Sequence, residues 1–245
     1  MTAPVLELKE VSYRHPVSGR GLDRISLGFR KGERTALLGL NGSGKTTLLL
    51  HLNGLLRPES GRVLREGVSM DYGREGLRAL RSRVGLVFQN PDAQIFSASV
   101  REDVSFGPLN LGLDVPTVTS RVEEALAAVG LGACADRPVQ ALSHGEKKRL
   151  CIAGVLAMKP EVLVLDEPMA GLDPVMQEAF AALLGRLHAG GMTVILATHD
   201  IGFARGWADA VHVLAEGHCV ASLDAAALKA GGGDAELLAL LGKPS

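Results

Sequence analysis

Apolar and polar positions alternate over Val5 to Val11 and again over Ile25 to Phe29, just before Lys31-Gly32-Glu33. That period of two predicts antiparallel strands joined by turns at the start of the chain. From Arg34 the pattern changes. Thr35-Ala36-Leu37-Leu38-Gly39 is an unbroken apolar run, Leu40 to Gly44 is glycine-rich, and Lys45 to Asn53 spaces Leu48, Leu49 and Leu52 as a helix does. Strand, loop and helix follow in that order. Val84 to Phe88 predicts another buried strand. Asn90 to Leu156 is helical in pattern, with breaks at Gly107-Pro108 and Pro138, and reads as a helical insertion over about residues 90–156. The continuous apolar runs Val162 to Leu165 and Thr193 to Ala197, each preceded by a helix, suit parallel strands covered on both faces. The expected fold class is therefore α/β: a parallel-sheet core with an N-terminal antiparallel β subdomain and an inserted helical subdomain. One domain over residues 1–230 is expected to end at Gly231-Gly232-Gly233, before a short C-terminal tail, 231–245, amphipathic through Leu237, Leu238, Leu240 and Leu241.

Composition narrows the classes. With 47% hydrophobic and 22% charged residues in a chain of 245, apolar burial can outweigh the ordering cost, so one large core is expected rather than disorder. Lys+Arg 26 against Asp+Glu 27 leaves no global basic field, so no nucleic-acid partner is expected and any phosphate site must be local. The basic run Lys147-Lys148-Arg149 and the arginines Arg74, Arg78, Arg81 and Arg83 read as solvated faces. The longest apolar stretches, Ala125 to Ala135 and Leu150 to Met158, fall short of the ~18 to 20 residues that span a bilayer. Met1 to Glu10 lacks a secretory pattern, which makes the cytoplasm the default. Cys134, Cys151 and Cys219 are far apart and form no Cys-x-x-Cys, so they read as reduced thiols. His15, His51, His188, His212 and His218 show no metal-ligand spacing.

The chemistry concentrates at two places. Gly39-Leu40-Asn41-Gly42-Ser43-Gly44-Lys45-Thr46 matches G-x-x-x-x-G-K-[ST] between a predicted strand and a predicted helix, the P-loop context. The glycines Gly39, Gly42 and Gly44 let the backbone N–H groups of Asn41, Ser43 and the loop up to Thr47 turn toward phosphate oxygens. Lys45 should bridge the β- and γ-phosphates of a nucleotide, and Thr46 should ligate Mg²⁺. Further on, Val162-Leu163-Val164-Leu165-Asp166-Glu167-Pro168 ends an apolar strand in two carboxylates. Asp166 is expected to orient Mg²⁺ and Glu167 to polarise the attacking water, because phosphoryl transfer needs positioning and charge stabilisation.

Between them, Leu142-Ser143-His144-Gly145-Glu146 resembles the L-S-G-G-Q signature of ATP-binding cassette proteins, with His144 in place of a glycine and Glu146 in place of the glutamine. The same residues also spell a capping box. The resemblance extends, in family order, over residues 3–220. It implies that Tyr13 stacks on adenine, that Gln89 forms a Q-loop touching Mg²⁺ or the attacking water, that Ser143 and Gly145 meet a γ-phosphate, that Ala170-Gly171-Leu172-Asp173 is a D-loop, and that His199 is the switch histidine. It further implies a P-loop NTPase fold and an ATP-dependent dimer with a second copy of the chain, the signature of one capping the nucleotide of the other.

Phe88-Gln89-Asn90-Pro91-Asp92-Ala93-Gln94-Ile95-Phe96 and the segment Val100 to Leu113 resemble the ATPases of energy-coupling factor importers, and Leu142 to Arg149 with Pro168 to Pro174 resemble their cobalt branch. That implies an ATPase driving import of a transition-metal ion, held peripherally on the cytoplasmic face of the membrane. Its partners would be a transmembrane energy-coupling subunit, docking near Gln94, Ile95 and Phe96, and a substrate-binding membrane subunit. Two rivals are weighed. A soluble cassette ATPase acting on nucleic acid or ribosomes usually carries two cassettes or a long coiled coil, which this spacing does not offer, and a non-hydrolysing nucleotide sensor is disfavoured by Glu167 with His199.

Overall fold

The computed structural model describes residues 4–224 and 227; the predicted tail at 231–245 lies outside them. The chain runs β1 (Leu6–Arg14), β2 (Gly21–Phe29), β3 (Arg34–Leu38), α1 (Lys45–Leu52), β4 (Ser60–Arg65), β5 (Val68–Ser69), α2 (Arg74–Arg83) and β6 (Val84–Val87). It continues through α3 (Val100–Asn110), α4 (Val115–Ala128), α5 (His144–Leu156), β7 (Val162–Asp166), α6 (Pro174–Ala189), β8 (Thr193–Thr198), α7 (Ile201–Trp207), β9 (Ala210–Ala215) and β10 (His218–Asp224).

Two sheets form. The antiparallel one has the order β2-β1-β4-β5, and the other has β10-β9-β3-β8-β7-β6, parallel except for β10. The alternation at the start of the chain thus gives an antiparallel pair, as expected, and the unbroken apolar runs give parallel strands. Those runs are continuous because both faces are covered. Val162, Val164, Ile195 and Ala197 pack toward α1 and the antiparallel sheet, while Leu163, Leu165, Val194 and Leu196 pack toward α6 and the helical insertion.

The insertion has local stop and start signals for each helix. Ser99 and Glu102 form a capping box on α3, Asp114 caps α4 ahead of a proline, and Ser143 and Glu146 form a second capping box on α5. Its three helices share a core that includes Val104, Val122, Leu126 and Leu150, each at most 1% exposed. Truncating a side chain in such a core costs about 2–5 kcal/mol, which fixes the insertion as a packed body.

Candidate functional site

The registers of the parallel sheet bring the chemistry to one edge. Ala197 on β8 pairs with Leu37 on one side and Asp166 on the other, so the P-loop, the paired acids and His199 leave neighbouring strands at the same level. After β3 the loop from Gly39 to Gly44 folds back into α1. Gly44 is its N-cap in the left-handed region at φ 107°, where a side chain would be strained and a Cβ would also press on Leu22. The first N–H groups of α1 are left facing the loop's concave side, an arrangement that suits an anion.

Lys45 is only 5% exposed. Its Nζ donates to the carbonyls of Gly39 at 2.6 Å and Leu40 at 3.1 Å, and lies 3.5 Å from Glu167 Oε1. The Thr46 hydroxyl donates to Asp166 Oδ2 at 2.7 Å. Asp166 Oδ1 is buried and has no hydrogen-bond partner, and burial pushes the Asp166 carboxyl above the usual range while the Thr46 bond opposes that. Glu167 is 7% exposed with φ 44°, left-handed backbone that a non-glycine residue adopts only under constraint. Its N–H donates to Ala197 O at 3.0 Å, its carbonyl accepts from Ala170 N–H at 3.1 Å, and its Oε2 lies 3.0 Å from His199 Nδ1. An ionised carboxylate only accepts, so in that contact Nδ1 carries the hydrogen.

A cavity of about 360 Å³ gathers Asn41, Gly42, Gly44, Lys45, Thr46, Thr47, Gln89, Asp166 and Glu167. Sequence reasoning missed four of its walls, Ser18 and Gly21 and, beside them, His15 and Arg20. They sit at the base of the β1–β2 turn, closed by His15 N–H donating to Arg20 O at 2.8 Å, and the signal for them was the turn itself, which must fold back over the P-loop. Tyr13 lies elsewhere. Its ring meets His51 and His15 edge-on at 5.2 Å, and with Ser43 it lines an adjoining cavity of about 940 Å³. The aromatic neighbour of the Lys45 cavity is the imidazole of His15.

Ser143, Gly145 and Asp173 do not line the Lys45 cavity. Ser143 Oγ accepts from Glu146 N–H at 3.2 Å, while Ser143 N–H donates to Glu146 Oε2 at 2.8 Å, so the capping box is real. Gly145 is buried against the Met176 methyl, which a Cβ there would have to displace. Asp173 caps α6 through Met176 N–H at 2.9 Å.

Residues 22–170 match the family model described as ABC transporter. The chain belongs to the ABC transporter family. Among its relatives, the cobalt import ATP-binding protein CbiO of Rhodobacter capsulatus is 50% identical over 236 residues, 94% of this chain and 84% of the relative. The energy-coupling factor transporter ATP-binding protein EcfA of Methanocaldococcus jannaschii is 50% identical over 213 residues, 87% of this chain and 76% of the relative. Among solved structures, cbiO1 of Clostridium perfringens, part of the ABC transporter complex cbiONQ, superposes with a TM-score of 0.86 at 41% identity, covering 97% of this chain and 95% of that one. The dimeric cassette MJ0796 bound to ADP and Pi gives 0.80 at 27% identity, covering 90% of this chain and 98% of that one. The P-loop NTPase fold and ATP use follow from membership.

On this ABC transporter ATPase a third cavity, of about 770 Å³, runs between α2 and β6 on one side and α3 and α5 on the other. Leu55, Phe96 and Phe106 are large apolar side chains exposed along it. Phe96 is 63% exposed and meets Phe106 edge-on at 4.5 Å. Gln94 and Ile95 have different work. The Gln94 amide accepts from Phe88 N–H at 3.0 Å and donates to Leu86 O at 3.3 Å, which pins the loop to β6, and Ile95 is half-buried against the core. Among the described residues no helix is long and apolar enough to cross a membrane.

Proposed function

We propose that this chain is the ATP-hydrolysing subunit of an energy-coupling factor importer for a transition-metal ion, cobalt(II) being the substrate favoured by its likeness to CbiO of Rhodobacter capsulatus. The observation that carries the hydrolytic part is the contact set Lys45–Glu167–His199 beside Thr46–Asp166. Lys45 binds the β- and γ-phosphates, Glu167 takes the proton of the attacking water, and His199 holds the Glu167 carboxylate toward that water. The orphaned Asp166 oxygen and the Thr46 hydroxyl form the hard-oxygen donor set that Mg²⁺ prefers, with Gln89 at the rim. When bound, Mg²⁺ neutralises charge between the phosphate oxygens.

Ser143, Gly145 and Asp173 stand away from their own Lys45 cavity, which fits a homodimer in which each signature caps the partner's nucleotide. A chain carrying Lys45→Ala and a chain carrying Ser143→Arg are each inactive in this arrangement. Mixed one to one, they should regain about a quarter of the wild-type rate for random pairing, since each mixed dimer keeps one intact composite site. No recovery with mixed dimers demonstrated by affinity tags counts against it.

The apolar groove between α2 and α3 receives the transmembrane energy-coupling subunit, on the cytoplasmic face of the membrane, with Phe96 as an anchor. Phe96→Asp should leave melting temperature and ATP affinity of the free subunit near wild type but abolish detergent co-purification with the membrane subunits of the complex, because it sets a carboxylate against an apolar surface. Ile95→Asp should instead destabilise the free subunit. Uptake of radiolabelled cobalt(II) by cells expressing the whole complex tests the substrate. Uptake that is unaffected by Glu167→Gln overturns the reading.

A further inference from the structure

Lys148 is a charged side chain buried to 3% exposure on the signature helix α5, and none of the chemistry above uses it. An ammonium taken from water is costly unless carbonyl or carboxylate oxygens replace its hydration. Here its Nζ donates to Pro168 O at 2.9 Å and to Ala170 O at 2.5 Å. Both acceptors lie within three residues of Glu167, in the segment that turns from β7 toward α6. That segment is already tight: Glu167 is in the left-handed region, Ala170 N–H donates to Glu167 O at 3.1 Å, and Leu172 N–H donates to Met169 O at 3.2 Å. Within the segment these bonds close a loop, whereas the two from Lys148 tie it to a different element.

We propose that Lys148 is a positioning residue that locks the Glu167–Asp173 segment to the signature helix, so that engagement of the signature by a nucleotide sets the place of the Glu167 carboxylate in the same chain. This deepens the proposed function and rests on the roles given there to Glu167 and Ser143. The charge adds to the geometry. Burial pushes the Lys148 ammonium below its usual range, and the fields of Cys151 and Glu167 oppose that. A neutral donor would supply the bonds without that charge. A lysine also leaves a stringent failure mode: without it, two carbonyls flanking the turn lose their partners in a buried place.

The test separates positioning from folding by where the loss falls. The homodimeric subunit is prepared as wild type, Lys148→Met, Lys148→Arg and Glu167→Gln, and each is assayed at a temperature at which circular dichroism shows it folded. Lys148→Met keeps the apolar stem as far as Cε but loses the ammonium and its three donors. It is expected to lower kcat at least about tenfold, with KM for ATP and the affinity for a fluorescent ATP analogue within twofold of wild type, because the P-loop is untouched. Lys148→Arg keeps the charge and the donors and is expected to recover kcat to within about threefold of wild type. Lys148→Met with wild-type kcat overturns the proposal, as does a loss that falls on KM and ATP affinity instead. A Lys148→Arg chain no better than Lys148→Met overturns the part played by the donors. The Glu167→Gln chain is the reference. If it hydrolyses ATP like wild type, the assignment of Glu167 fails, whereas a silent Lys148→Met beside a dead Glu167→Gln sinks the tie alone.

Discussion

Glu167→Gln is expected to bind ATP and form a stable ATP-loaded dimer while releasing phosphate at least about a hundredfold more slowly than wild type, the size of effect that a lost general base produces. The geometry explains why the loss is selective. Glu167 makes no hydrogen bond to the loop from Gly39 to Gly44; it lies 3.5 Å from the Lys45 ammonium and 3.0 Å from His199, and its backbone bonds to Ala197 and Ala170. Glutamine has the same shape and keeps the backbone bond, so the turn at φ 44° should survive. What it cannot do is accept the proton of water. A hundredfold drop corresponds to about 2.7 kcal/mol of transition-state stabilisation. Phosphate release under saturating ATP, with size-exclusion chromatography in the presence and absence of ATP, reads both halves. Near-wild-type hydrolysis would show that another group takes the proton.

How far the sequence alone could go differs between elements for physical reasons. The parallel strands β3, β7 and β8 were legible because they are buried on both faces and therefore apolar without interruption. β4 and α2 were not. β4 buries only Val63 and Leu64 of its six residues, too few to show an alternation, and α2 buries only Leu80, so the helical spacing of Leu77 and Leu80 is hidden among four arginines that read as a solvated charge run. The P-loop and the two acids could be found because a phosphate cradle needs glycines, a lysine and a hydroxyl at fixed local spacing. His15 and Arg20 could not, since their place on the cavity depends on how the β1–β2 turn folds onto a distant helix start. Tyr13 was the visible aromatic of that strand, yet the strand directs it to His51. Lys148 was read as one of a solvated basic run, and in the three residues Lys147, Lys148 and Arg149 only the middle one turns into the core. Lys147 instead pairs with Asp92 at 2.7 Å and Arg149 donates to Val129 O at 3.0 Å. Helical geometry decides this, because neighbours along a helix point about 100° apart and a charge run samples more than one face.

Lys45→Ala is the substitution expected to abolish nucleotide binding itself, and the reason is the company its ammonium keeps. The side chain is buried, reaches back to the carbonyls of Gly39 and Leu40, and balances the Glu167 carboxylate. Removing it deprives the β- and γ-phosphates of two charge-assisted hydrogen bonds, each contributing about 1.5–3 kcal/mol, so ATP affinity should fall by about two to four orders of magnitude. Glu167 and Asp166 remain near the incoming anion with less compensation, which acts in the same direction. AMP lacks the phosphates assigned to Lys45, so any AMP binding should change far less than that of ADP or ATP. Isothermal titration with the three nucleotides, on protein shown folded by its melting curve, measures that gradient. An Lys45→Ala chain that binds ATP within tenfold of wild type would mean that the backbone N–H groups of the loop and the first turn of α1 carry the phosphates alone. Equal losses for AMP and ATP would mean that the substitution has collapsed the loop rather than removed a charge.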